Sequence, residues 1–332
     1  MTRRITVACL GLIGVTIVAV GSLQLSDFPM GTTDVLRTLL GGGTRLENVV
    51  VFDIGLPRTL VAIAVGVAFG LSGALTQTVG RNALATPDIL GITAGAGAAA
   101  VLAIALGSGW AQPLRDIGIP LAAIVGAAAA AVALYLLSWR DGLDPVRLVL
   151  VGVALTWLFG AVVGYTLTRA QIADVARAQR WLVGSVSDAT WAGVVSVTVA
   201  VAVATAMLVW IRRDLTMLDL GDDLASALGV PVGRTSGISV TVAVALCAVA
   251  VAAAGPIAFV ALLSPQIAVR LAGTPAPPLA LSSVVGALLV LGSDLLTRSV
   301  LPGGLAVGVV TAGLGGPLLL HLLIRSTRKA SL

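Results

Sequence analysis

Charge is scarce in this sequence. Of its 332 residues only 11% are Asp, Glu, Lys or Arg, where an ordinary soluble domain carries about 25%. The 20 Lys and Arg and 15 Asp and Glu are too few to coat a globule of this size, which excludes a large soluble enzyme. Aromatic residues make up 4%, and no basic run exceeds two residues (Arg3-Arg4, Arg212-Arg213, Arg328-Lys329). The net charge of +5 therefore lacks the basic-aromatic interleaving of a nucleic-acid binder, and arginine-enriched cytoplasmic loops account for it. The two cysteines, Cys9 and Cys247, lie far apart in apolar runs and suit neither a disulfide framework nor a metal-binding pair. With His321 as its single histidine, the chain cannot assemble a Ser–His–Asp arrangement or a histidine metal cluster, so no catalytic and no metal-ligating residue is assigned. There is no G-x-x-x-x-G-K-[ST] loop, so ATP is not bound by that route. Acidic residues are 14 Asp and Glu47, nearly all in loops or at the ends of apolar runs. Asp88 opens the third apolar run and Asp294 lies near the end of the run at 279–297. The expectation is that no carboxylate sits mid-membrane, which argues against a carrier powered by its own proton or sodium coupling.

What is abundant is apolar: 58% of residues are hydrophobic and the mean hydropathy is +1.07. The 39 Gly and 14 Pro sit inside these apolar runs, as they do where membrane helices pack closely on small residues. Nine runs reach the length of about 20 residues needed to cross a bilayer. They cover approximately 5–25, 58–79, 89–108, 117–138, 146–168, 191–211, 235–254, 279–297 and 304–324. The first is too long for a signal-peptide core and reads as a retained helix. A tenth, 256–271, is short and broken by Gly255-Pro256 and Pro265. If it crosses, 12 positive residues face the cytoplasm against 8 outside; if it only dips in and returns, the tally is 9 against 11. Positive-inside thus favours ten spans with both termini cytoplasmic. The fold class is an all-α polytopic membrane protein, a single transmembrane domain over residues 1–332. A broken segment needs buried backbone partners or a water-filled path, which points to transport.

The loop at 212–235, between the sixth and seventh spans, reads as a docking surface for a partner. In L-D-L-G-D-D-L-A-S-A-L-G-V-P-V-G-R (218–234), Asp219 is placed to cap a short helix, with Asp222 and Asp223 in its first turn. Gly229 is placed to end that helix and Pro231 blocks its continuation. About eight residues are too few for a helix to persist alone in water, so it docks on its own chain or on another protein. Leu220, Leu224 and Leu228 repeat every four residues as one apolar stripe. Helices that lie on lipid carry Lys and Arg on their polar face, whereas this one is acidic, which favours a protein surface.

These motifs resemble the permease subunits of type II ABC importers for iron-siderophores, haem and cobalamin, over about Leu56 to Arg325. G-L-P-R-T-L (55–60) resembles the family's R-L-P-R. Gln77 with R-N-A-L-A-T-P-D-I-L-G (81–91) is similar to Q-x-x-x-R-N-P-L-A-x-P-x-x-L-G, and W-L-V-G-S (181–185) to W-L-x-G-S. L-G-D-D-L-A-S-A-L-G-V resembles the coupling loop, A-G-P-I-A-F-V (254–260) the broken segment, and L-A-V-G-V-V-T-A (305–312) the last helix. The resemblance implies ten helices in a multi-pass protein of the bacterial inner membrane. The implied partners are a second permease subunit (a homodimer or a paired homologue), two cytoplasmic ATPases and an external solute-binding protein. This chain would bind no cofactor, with ATP and magnesium on the ATPase. It places a cytoplasmic gate at Asn82 and Leu84, although Asn82 is equally suited to capping its own turn. It places the ATPase-coupling helix at Leu220, Gly221, Asp222, Asp223, Leu224, Ala225, Leu228 and Gly229. Docking of the binding protein falls to Arg58 and Arg298, for which interfacial anchoring is the other reading. Four departures stand out: Gly55 for the first Arg of R-L-P-R, Ala83 for Pro, Ser264-Pro265-Gln266 for V-P-H, and Pro302-Gly303-Gly304-Leu305 for A-E-L-P. The cargo expected is an iron-siderophore complex; cobalamin or haem, and a self-powered secondary carrier, are the alternatives.

Overall fold

The computed structural model describes residues 2–25, 30–109, 112–138, 145–301 and 305–330; residues 302–304 and the His321 side chain lie outside the described residues. Among these residues there is no strand. The helices, in order, are α1 (Thr2–Gln24), α2 (Thr32–Leu39), α3 (Arg45–Asn48), α4 (Leu56–Gly80), α5 (Ile92–Leu106), α6 (Gln112–Ser138), α7 (Pro145–Arg169), α8 (Ile172–Val183), α9 (Trp191–Leu218), α10 (Asp222–Ala227), α11 (Val232–Ala254), α12 (Val260–Ala272), α13 (Leu279–Ser299) and α14 (Val307–Ala330). A π-helical stretch, Val49–Gly55, joins α3 to α4. Seven helical segments are long and apolar enough to cross a membrane, and three shorter apolar ones lie in α5, α12 and α14. Together they match the nine expected runs and the short tenth, one for one.

The most buried of these helices is α4, packed against α13, α11, α12 and α9. Small residues let it approach its neighbours. A Cβ on Gly66 or Gly70 would collide with the backbone of α13 at Gly286 or Ser282, and one on Gly73 with the Ala261 carbonyl of α12. That carbonyl belongs to the turn in which Pro265 removes a backbone donor. In this way the proline of a broken helix and the glycine of its neighbour fit one another. The Ser72 hydroxyl adds a 2.6 Å bond to the Ala243 carbonyl of α11. Helix α1 lies outside, against α13, and most of its surface is exposed as lipid contact requires.

Sequence explains where most crossings start and stop. Pro57 sits in the first turn of α4, where its missing N–H interrupts the helical ladder from the π-helical stretch, and the Phe52 carbonyl accepts from the Trp191 indole N–H at 3.0 Å instead. Thr190 caps α9 by accepting from the Gly193 N–H at 3.2 Å. Gly273 closes α12 at a φ of 66°, ahead of Pro275, Pro277 and Pro278. Two of the boundaries that differ from expectation bear on the site. The third run starts at Ile92 rather than 89, and at 15 residues α5 spans about 22 Å, short of the about 30 Å of hydrocarbon; the irregular segment 81–91 precedes it. Helix α9 continues to Leu218, so the expected 212–235 loop shrinks to 219–231.

Candidate functional site

Four of the sequence motifs converge on one open cavity of about 530 Å³. Asp88 comes from the segment before α5 and Thr93 from α5 itself. Leu182 and Val183 end α8, Pro256–Ala258 form the break between α11 and α12, and Gly308, Val309 and Ala312 belong to α14. Backbone contacts pin its rim. The Ser185 N–H donates to the Ala254 carbonyl at 2.8 Å, and the Gly308 N–H to the Gly184 carbonyl at 3.1 Å. Gly184 and Gly255 adopt φ of 78° and 70°, and a Cβ on either would strike the other segment's backbone. Phe259, just past the break, is left-handed at φ 67° and starts α12 by accepting from the Leu262 and Leu263 N–H groups. The lining is apolar but for Asp88 and Thr93, whose side chains hydrogen-bond to one another. Sequence reading missed Asp88 as a lining group, because its place at the head of an apolar run reads as a helix end.

The segment 81–91 runs from the end of α4 to this cavity. Asn82 is exposed, and its side-chain oxygen accepts from the Leu84 N–H at 2.9 Å. Its main chain completes the turn, with the Ala85 N–H on its carbonyl at 3.0 Å. Asn82 thus caps its own turn, and Leu84 is half-buried beside it. Upstream, Gln77 is buried; its amide donates to the Leu262 carbonyl at 3.1 Å and accepts from Gln266 at 2.7 Å. Gln266, one of the departures from the family pattern, therefore ties α12 to α4 without charge.

Beyond the end of α9, α10 is a six-residue helix that starts at Asp222. Asp219 does not cap it, contrary to expectation. Asp219 terminates α9, and Gly221, at φ 105°, takes the N-cap position without a side-chain bond. Burial pushes the Asp219 carboxyl above its ordinary range, opposed by the nearby positive charge of Arg81. Asp222 and Asp223 do occupy the first turn. Gly229 turns the chain at φ 83°, and the Val230 N–H returns to the Ala225 carbonyl at 3.0 Å. Ala225 is fully buried against the chain, while Leu220, Leu224 and Leu228 are 53%, 59% and 62% exposed. One face of α10 docks on its own protein and its leucines are left uncovered. Arg81 binds Asp222 at 2.5 Å and reaches the Leu218 carbonyl at 3.5 Å, which joins this loop to the start of the 81–91 segment.

The two arginines expected at the outer face, Arg58 and Arg298, converge on Asp294. That carboxylate is fully buried, one and a half turns inside α13. Arg58 donates to Asp294 Oδ1 at 2.7 Å and Arg298 to Oδ2 at 2.7 Å. Arg298 also bonds the Ser22 hydroxyl and carbonyl of α1, and the Ser22 hydroxyl lies 3.2 Å from that of Thr59. The guanidiniums are largely covered, and the cluster carries one net positive charge. Asp294 lies near the end of its helix, as expected, but it is buried there rather than exposed; two cations make its burial tolerable. Gly55, which stands where the family has Arg, is itself buried, and a Cβ there would press on Leu23 and the Val50 carbonyl at 3.2 Å. Among the described residues no group of three or more His, Cys, Asp or Glu converges to hold a metal ion.

Among the described residues, seven helices long enough to cross a membrane, three shorter apolar ones, a broken segment lining a cavity and a short helix with uncovered leucines fit a multi-pass membrane transport protein. The chain belongs to the FecCD transport family, whose profile matches residues 13–325. It is 37% identical over 334 residues to the ferric enterobactin transport system permease protein FepG of Escherichia coli, covering 99% of each chain. It is 35% identical to the iron(3+)-hydroxamate import system permease protein FhuG of Bacillus subtilis, covering 92% of each. Its fold superposes on an inward-facing metal-chelate type ABC transporter with a TM-score of 0.84 at 25% identity, covering 96% of this chain and 99% of that one.

Proposed function

We propose that this chain is the non-catalytic translocation subunit of an ATP-driven importer for iron-siderophore complexes, working in the bacterial inner membrane. The observation that carries the reading is α10. Its acidic first turn and three uncovered leucines stand on the cytoplasmic side, where an apolar stripe needs a protein cover. The cover is one of two ATPase subunits, which bind ATP and magnesium; this chain binds no cofactor. A second permease, the same chain or a homologue, closes the open side of the cavity, and Asn82 and Leu84 narrow the path at its cytoplasmic end. An external binding protein delivers the cargo. Its acidic groups meet Arg58 and Arg298 as one cluster already shared with Asp294, rather than as two free arms. Iron-siderophore cargo is supported by the names of the relatives, a ferric enterobactin and an iron-hydroxamate permease.

One observation favours a second reading: Asp88 lines the cavity, and a carrier driven by ion coupling needs such a carboxylate on its path. Asp294 does not serve that role, since two arginines hold it. Affinity purification of the tagged chain, expressed with its neighbouring reading frames, tests the leading reading. The wild type retains an ATPase subunit and Leu224→Asp loses it while staying monodisperse. A wild type that retains none, or a Leu224→Asp variant that binds undiminished, contradicts it.

A further inference from the structure

Arg81 occupies a position where its backbone is strained and its side chain does something specific. It ends α4 at φ 44° and ψ 33°, a left-handed conformation in which glycine is comfortable and a Cβ is not. An arginine here is disfavoured locally, and its guanidinium spans to two groups of the coupling loop. It binds Asp222, the first residue of α10, at 2.5 Å, and points at the Leu218 carbonyl, the last residue of α9, at 3.5 Å. Both partners are more than 130 residues away in sequence, at separations of 141 and 137. On the other side, Arg81 is covalently joined to Asn82, which holds the turn containing Leu84; the same segment delivers Asp88 to the cavity.

We infer that Arg81 is a positioning residue that transmits movement of the coupling helix to the gate segment. This rests on the reading of α10 as the ATPase-contacting element. The pair is exposed, at 46% for Arg81 and 60% for Asp222, and an exposed ion pair contributes little to stability. Its value lies in position. A subunit docked over the leucines of α10 excludes water from the pair and strengthens it, so the link is firmest when the ATPase is seated. Gln77 anchors the same end of α4 to α12 through the Leu262 carbonyl and Gln266. The gate turn is therefore held between one fixed point and one that moves with α10, the kind of contiguous contact chain that energetic coupling requires.

The test uses the assembled transporter in proteoliposomes with its binding protein, with radiolabelled ferric enterobactin and a ferric hydroxamate as probes. Uptake per ATP hydrolysed and the melting temperature are measured together. Arg81→Gly removes the side chain and relieves the backbone, so its melting temperature equals or exceeds that of the wild type. Its uptake per ATP falls at least about fivefold, the lower range of measured coupling between sites. Arg81→Asp falls as far, and combining it with Asp222→Arg restores coupling. A merely structural arginine would show the opposite: lowered melting and intact coupling. Full coupling in Arg81→Gly, or a charge-swapped pair no better than Arg81→Asp alone, overturns the inference. A wild type that takes up neither probe at the expense of ATP overturns the reading beneath it as well.

Discussion

Arg58 on α4 and Asp294 on α13 are 236 positions apart and meet through three hydrogen bonds, to Oδ1 from Nη2 at 2.7 Å and Nε at 3.0 Å and to Oδ2 from Nε at 3.2 Å. With Arg298 on the other oxygen, three ionic groups and the Ser22 hydroxyl fasten α1, α4 and α13 to one another.

This arrangement predicts an asymmetric response to substitution. Asp294→Ala leaves two guanidiniums facing each other without a counter-charge and costs about 3–5 kcal/mol. Arg58→Leu leaves a balanced Arg298–Asp294 pair and costs less, about 1.5–3 kcal/mol for the charged hydrogen bonds lost. Thermal unfolding in detergent gives the ranking, and equal or reversed losses would count against the cluster as described.

The cavity rim gives a second prediction, from two glycines of the same helix. A Cβ on Gly308 would run into the backbone carbonyl of Val183, which cannot rotate away, whereas one on Gly313 meets nothing within 4 Å. Gly308→Ala should therefore lower stability by about 1–3 kcal/mol, as overpacking does, and reduce transport. Gly313→Ala should do neither. Melting curves paired with uptake measurements on the two variants check this.

In the short helix α3 ahead of α4, Glu47 sets a pH dependence. Its carboxylate accepts the Thr44 backbone N–H at 2.6 Å and pairs with Arg37 at 2.9 Å. The Thr44 backbone bond is the main cause that holds its pKa below the ordinary value of 4.5. A depressed carboxylate stabilises the fold above its unfolded pKa, and that contribution disappears as pH falls through the lower, folded value. Proteolysis of the α2–α3 connection should therefore stay slow at neutral pH and rise only in acid, below the usual glutamate range near about 4.3. Glu47→Gln should remove the pH dependence; an unchanged profile in that variant would assign the opening to another group.

Much of this was legible in the sequence. Nine apolar helices follow from the length of apolar runs and the short tenth from its place between breakers, and the acidic first turn and Gly229 stop of α10 follow from local rules of helix termini. What escaped was tertiary. Asp294 reads as a carboxylate near a helix end, and only the packing of α4 and α1 against α13 reveals the arginines that bury it. Ile89 and Leu90 prolong an apolar run, so the segment before Ile92 reads as helix; yet Pro87 and the left-handed Gly91, at φ 79°, keep it irregular. Asp219 is a plausible start for α10 by local chemistry, but α9 runs on to Leu218 and takes Asp219 as its own C-cap, so the N-cap falls to Gly221. The convergence of four motifs on one cavity is likewise a property of the bundle, invisible to any one of them.

The central claim is that transport through this chain is powered by ATP on a partner and by no ion gradient of its own. Uptake of radiolabelled ferric enterobactin and a ferric hydroxamate into proteoliposomes holding the assembled complex and its binding protein, for the wild type and Asp88→Asn, tests it most directly. Uptake should stop when ATP is withheld, persist when proton and sodium gradients are collapsed, and remain ATP-dependent in Asp88→Asn. Uptake that needs no ATP, follows the ion gradient and is abolished by Asp88→Asn would contradict the account.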